Sequence, residues 1–149
     1  MADTEIQKVC KPKEKSFVFN DGGRAAAGYK GSTGDCVVRA IAIATGQNYQ
    51  MVYEGVNQIA GKKVARTGVP MAVSKKYLAS LGWVWKPTMF IGQGCQVHLT
   101  PEELPSGRII VRVSRHFVAM INGVIHDTFD PSRRGSRCVY GYFIQESKK

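Results

Sequence analysis

An α+β fold is predicted by two residue patterns and one dipeptide. Apolar residues recur at helical spacing between Cys36 and Leu81, β-branched and aromatic runs follow from Arg108 onward, and Asn122-Gly123 sits between two of those runs. Helices first and antiparallel strands afterwards are the pattern of an α+β domain rather than an alternating one. The chain has 149 residues, which fits one domain. A domain of that size buries roughly 68–70% of the surface its unfolded chain exposes.

The elements follow in order. Residues 1–16 are polar and mixed in charge, and read as a mobile basic tail before a single domain over 17–149. Phe17–Phe19 suits a short edge strand. From Asn20 to Gly34 the chain is rich in Gly, Ala and Ser, which indicates a long loop, and such loops in compact domains tend to be functional. A helix opens near Cys36: Val37, Ala40, Ile41 and Ala44 share a face, Thr33 or Asp35 can cap it, and Gly46 can end it. A second helix is expected over about 50–60 (Val52, Val56, Ile59). A third spans about 70–81, with Pro70 in its first turn, Val73, Tyr77, Leu78 and Leu81 on one face, and Gly82 as the stop.

The second half reads as strands. Trp83–Lys86 is short and aromatic, and Thr100-Pro-Glu-Glu103 has the capping-box form for one helical turn. Arg108–Val113 is β-branched. His116–Ile121 and Val124–Phe129 flank Asn122-Gly123, the strongest short-range signal for a hairpin. Val139–Ile144 supplies a last strand. No internal repeat is visible.

Composition narrows the class. Apolar content of 44% and charged content of 21% are those of a globular protein, and no apolar run approaches the ~20 residues of a membrane helix. The N-terminal residues lack the apolar stretch of a secretory signal. These features predict a cytoplasmic protein, acting in the host cytoplasm if viral, with no membrane partner. Four cysteines (Cys10, Cys36, Cys95, Cys138) never form a C-x-x-C pair, and reduced thiols are expected rather than a disulfide framework. Cys95 and His98 make one pair of zinc-type ligands, but four ligands at zinc-finger spacing are absent. Neither a metal nor a cofactor is expected. The net charge of +10 gathers in groups such as Lys62/Lys63/Arg66 and Arg133/Arg134/Arg137. That balance suits weak contact with polyanions such as nucleic acid, and equally a solvated surface.

The chemistry centres on Gly34-Asp35-Cys36. With the cap at Thr33 or Asp35, Cys36 lies in the first helical turn, where free N–H groups and the positive end of the dipole favour a thiolate. Taken alone, Cys36 reads first as a small buried apolar residue in a Val/Ala/Ile helix. The hairpin changes the weighing. A two-residue Asn122-Gly123 turn pairs Ile121 with Val124, Val118 with Asp127 and His116 with Phe129. His116 and Asp127 then become diagonal neighbours on one sheet face. Burying Asp127 among apolar neighbours demands a partner, and His116 is in place to be one. His126 points to the opposite face.

This order of residues resembles the papain-like cysteine peptidases, most closely the small leader-clipping peptidases of bacteriocin exporters. It also resembles small papain-like proteins of phages and bacteria. The resemblance rests on Asp35-Cys36 before a small apolar helix, on His116-Phe-Val-Ala-Met-Ile, and on the Val-Ile-His-Asp127 strand, and it covers roughly Gly34 to Asp130. It implies a papain-like fold in which the cysteine helix packs on a C-terminal antiparallel sheet. It also implies a triad of Cys36, His116 and Asp127. Two departures stand out. Lys30 occupies the place of the family's Gln oxyanion donor, leaving the backbone N–H of Cys36 as the safer donor. The family's Asp-Pro pair corresponds to Asp130-Pro131, so Asp130 competes with Asp127 for the third position.

Three functions are compatible with these residues. The first is a thiol hydrolase (peptidase, isopeptidase or amidase) acting on a peptide or amide substrate through a thioester. The second is acyl transfer to an amine from the same thioester. The third is a non-catalytic papain-like module whose basic surface binds nucleic acid or a larger assembly such as a virus particle.

Overall fold

The computed structural model describes residues 17–29 and 34–146. The expected tail over 1–16 lies outside them, as do Lys30 and Thr33. The architecture is α+β, with three helices packed on a six-stranded mixed sheet. The helices are α1 (Cys36–Thr45), α2 (Tyr49–Ala60) and α3 (Met71–Ser80). The strands are β1 (Phe17–Phe19), β2 (Trp83–Pro87), β3 (Arg108–Val113), β4 (His116–Ile121), β5 (Val124–Asp127) and β6 (Val139–Gln145). Their order across the sheet is β1-β5-β4-β3-β6-β2.

Capping sets the helix limits. Asn48 accepts from the backbone N–H groups of Gln50 and Met51 at the start of α2, and Gly46 and Gly61 close α1 and α2 in the left-handed region. Two expectations are corrected here. Pro70 stands at the cap position before α3, in extended conformation, rather than inside its first turn. Thr100 makes no side-chain cap bond, and Pro101–Glu103 is a short 3-10 turn. Glu103 fails to close the capping box because its carboxylate accepts from the N–H of His98 instead.

The expected sheet is antiparallel, whereas the observed one is mixed. β1 adds to the outer edge of β5 in parallel, pairing Phe17 with Ile125 and Phe19 with Asp127. The β4–β5 register is the one the Asn-Gly turn dictates, with Ile121 opposite Val124 and Ala119 opposite His126. Asn122 (φ 51°) and Gly123 (φ 83°) both take positive φ, as the tight hairpin turn requires. β5 ends at Asp127, two residues before the expected Phe129, where the Thr128 N–H turns back to the Asp127 carboxylate.

Both faces of the central strands are buried. Ile110, Phe117, Ala119 and Phe143 pack against the apolar faces of the helices. On the far side Ile109, Val111, Val118, Met120 and Ile125 meet Leu99 and Leu104 from the segment joining β2 to β3. β4 opens with His116 and β5 closes with Asp127, so both sit at one end of the sheet. The first turns of α1 reach that same end.

Candidate active site

Cys36 is the first residue of α1. Asp35 precedes it at the cap position but makes no side-chain cap bond, so the expected capping role is corrected. Its carboxylate is taken up elsewhere: it accepts from Arg39 Nε (3.0 Å), Tyr49 OH (2.7 Å) and Arg24 Nη1 (3.2 Å). The first N–H groups of α1 therefore keep their positive field for the thiol beside them. Burial by itself would raise the Cys36 pKa. Hydrogen bonding to His116, the charge of that ring, the Phe117 N–H and the Arg39 charge outweigh it and hold the thiol below its ordinary value.

His116 brings the partner. Its Nε2 lies 2.6 Å from Asp127 Oδ2, which leaves Nδ1 as the ring nitrogen available to Cys36. Burial opposes the imidazolium, but the Asp127 and Cys36 hydrogen bonds and charges overcome it and raise the His116 pKa to about 9. The exposed ring of Phe129 stands 5.1 Å from the imidazole. The expected pairing of His116 with Phe129 is thus realised as a ring contact beyond the end of the ladder.

Asp127 is almost fully buried. Its Oδ1 accepts from Arg39 Nη1 at 2.6 Å and from the Thr128 N–H at 2.7 Å. Desolvation would raise its pKa, yet His116, Thr128 and Arg39 together keep it below the usual carboxylate range. Asp130, the alternative third residue, caps the following turn by accepting from the Ser132 N–H. His126 faces Asn20, with Nδ1 to Nδ2 at 3.3 Å. Burial and then Arg108 keep its ring from protonating as readily as usual.

Sequence reasoning missed Arg39, Asp35 as a buried anion, and Tyr49. The signal was present: an arginine inside the stripe Val37, Val38, Ala40, Ile41 must find carboxylates, and Asp35 is one helical turn before it. The result is a chain of alternating charge that runs from Arg24 through Asp35, Arg39 and Asp127 to His116 and Cys36. It ties α1 to β5 through ion pairs buried on both sides. The Tyr49 phenol, raised first by burial and then by Asp35, stays protonated and donates.

The remaining cysteines correct another expectation. Cys95 and Cys138 are joined in a disulfide, because the bridge between His98 and Cys138 brings the β2–β3 segment alongside the start of β6. Cys36 is the free thiol among the described residues, and Cys10 lies outside them. Among the described residues no helix is long and apolar enough to cross a membrane. Comparison with protein families, with characterised proteins and with solved structures found no match to this chain.

Proposed function

We propose that the chain is a papain-like thiol hydrolase that cleaves a peptide or amide bond through a thioester on Cys36. The observation that carries this reading is the meeting of three elements: the thiol opening α1, the imidazole opening β4 and the carboxylate closing β5. The shift of each group runs in the direction its task needs. A lowered thiol and a raised imidazole favour a thiolate–imidazolium pair at neutral pH.

In the first half-reaction the Cys36 thiolate attacks the carbonyl carbon. The Cys36 N–H, in the field of the helix terminus, faces the developing oxyanion. His116 gives its Nδ1 proton to the leaving amine as the C–N bond breaks, and the acyl group stays on sulfur. Water then attacks the thioester, His116 takes its proton, and the carboxylic acid leaves as the thiol is restored. Asp127 keeps the ring oriented and stabilises its cationic form throughout.

A generic acyl donor tests this without knowledge of the substrate. Mixed with 4-nitrophenyl acetate, the folded protein should release a stoichiometric burst of nitrophenolate and carry one acetyl group, mapped to Cys36. Cys36→Ala should abolish the burst, and His116→Gln should slow it by about a hundredfold, as loss of a positioned acid–base group does. Acetylation spread over lysines or Cys10, with Cys36 unmodified, would reject the assignment. Turnover in water against turnover with added amine then separates hydrolysis from acyl transfer by product mass.

A further inference from the structure

We propose that Cys95–Cys138 is a thiol–disulfide exchange site, served by His98 and open to external thiol reductants. Cys95 lies in the segment between β2 and β3 and is exposed, and Cys138 immediately precedes β6. A disulfide serving only to brace a fold needs no acid–base group beside it. This one has a built arrangement: His98 Nε2 stands 3.6 Å from Cys95 Sγ, and His98 Nδ1 stands 3.2 Å from Glu103 Oε1.

Glu103 is itself fixed. Its Oε1 also accepts from the His98 backbone N–H at 2.8 Å, and these contacts hold its carboxyl below the usual range. The carboxylate therefore accepts from Nδ1 and turns Nε2 towards the sulfur. Cys138 is held on the other side by the ladder contact with His98 at the start of β6. The capping box read from Thr100-Pro-Glu-Glu103 is thereby reassigned: Glu103 orients a histidine rather than closing a helix.

The exchange balances as follows. The thiolate of a small external thiol attacks Cys138 Sγ and forms a mixed disulfide. The electron pair of the Cys95–Cys138 bond leaves with Cys95, and His98 Nε2, 3.6 Å away, passes to that sulfur the proton that the attacking thiol has released. A second external thiolate attacks the external sulfur of the mixed disulfide, releasing the oxidised reductant and the Cys138 thiolate. Two external thiols are oxidised and the protein disulfide is reduced. In reverse, neutral His98 accepts the Cys95 proton and generates the attacking thiolate. A leaving sulfur that receives a hydrogen bond and a proton as it departs leaves faster than a bare one, which is the advantage that His98 supplies.

The test uses the folded full chain and dithiothreitol as reductant near neutral pH, with alkylation at timed intervals and peptide mapping. Cys95 and Cys138 should become alkylated together, without denaturant, while Cys36 reacts independently of reductant. His98→Gln should slow opening of the disulfide by roughly three- to tenfold, and Glu103→Gln by a smaller factor, with both effects gone when the chains are unfolded in urea. A disulfide that opens only after denaturation would overturn the proposal. So would equal rates in the wild type and both variants. Isolation of the protein with both thiols free and bound to zinc would also overturn it, in favour of a metal site.

Discussion

Asp127 divides its two carboxylate oxygens between partners of different kinds, Oδ2 to the His116 ring and Oδ1 to Arg39 and the Thr128 N–H. That division predicts how an isosteric change fails. In Asp127→Asn the amide oxygen is claimed by Arg39 and Thr128, so the NH2 group faces His116 Nε2. A group that only donates cannot accept the Nε2 proton, so the ring carries its proton on Nδ1, towards Cys36, and the imidazolium is lost. The thiol then ionises nearer its ordinary value, and alkylation of Cys36 at pH 7 should fall by about tenfold or more, since one unit of pKa is a tenfold change in thiolate. Weakening a charged hydrogen bond to Arg39 should also cost about 1.5–3 kcal/mol of stability. Asp130→Asn should change neither quantity, because Asp130 serves the turn at Ser132. A shifted alkylation profile in Asp130→Asn, with none in Asp127→Asn, would reverse the assignment. The His116–Asp127 pair was legible because a two-residue turn and strand alternation are geometric rules. Arg39 was not, because helical periodicity assigns a residue to a face without saying which charges meet it there.

At the scale of elements, periodicity and turn chemistry located the three helices and six strands of the described residues, with ends misplaced by a residue or two. The misplaced ends have local causes. Asp127 ends β5 by drawing the Thr128 N–H to its side chain, an interaction no propensity encodes. The direction of β1 was illegible, since three residues carry no pattern that distinguishes a parallel edge from an antiparallel one. The segment between β2 and β3 has no period at all, yet Leu99 and Leu104 bury themselves against the far face of the sheet. The other edge shows how closely elements approach. Gly141 of β6 lies under Trp85 of β2, where an added Cβ would stand 2.4 Å from the indole and 2.8 Å from the Lys86 carbonyl oxygen. The backbone oxygen cannot swing aside, so Gly141→Ala should destabilise the fold by about 1–3 kcal/mol through overpacking. Urea denaturation should show a lower midpoint at unchanged slope. A midpoint equal to the wild type would mean that β2 yields freely and is not packed on β6.

For the whole molecule, the Cys36–His116 pair makes a distinctive statement about stability and pH. His116 is raised from 6.5 to about 9 by folding, so its contribution is complete below 6.5 and is lost as pH rises through about 9. Cys36 is lowered from 9.0, so its contribution is complete above 9.0 and is lost as pH falls through its folded value. Between pH 6.5 and 9 one contribution declines while the other grows. Between the folded value of Cys36 and pH 9 the unfolded chain holds one proton on the thiol and the folded chain holds one on the imidazole, so there folding neither binds nor releases any. Below 3.8 the lowered carboxyl of Asp127 loses its contribution as it protonates. The wild-type urea midpoint should therefore change little as pH approaches 9, because the growing Cys36 contribution offsets the declining His116 one. Cys36→Ala removes the compensating half and leaves His116 against Asp127, so its midpoint should drop across the same range, by up to about 1.4 kcal/mol per pH unit. The net charge of +10 adds a self-repulsion that grows in acid, but it is common to both proteins and cancels in their difference. Midpoints measured at constant ionic strength with the Cys95–Cys138 disulfide intact would decide the matter. Parallel curves for the two proteins would mean that Cys36 and His116 share no proton in the folded state, and the thiolate–imidazolium pair on which the hydrolase reading depends would be lost with it.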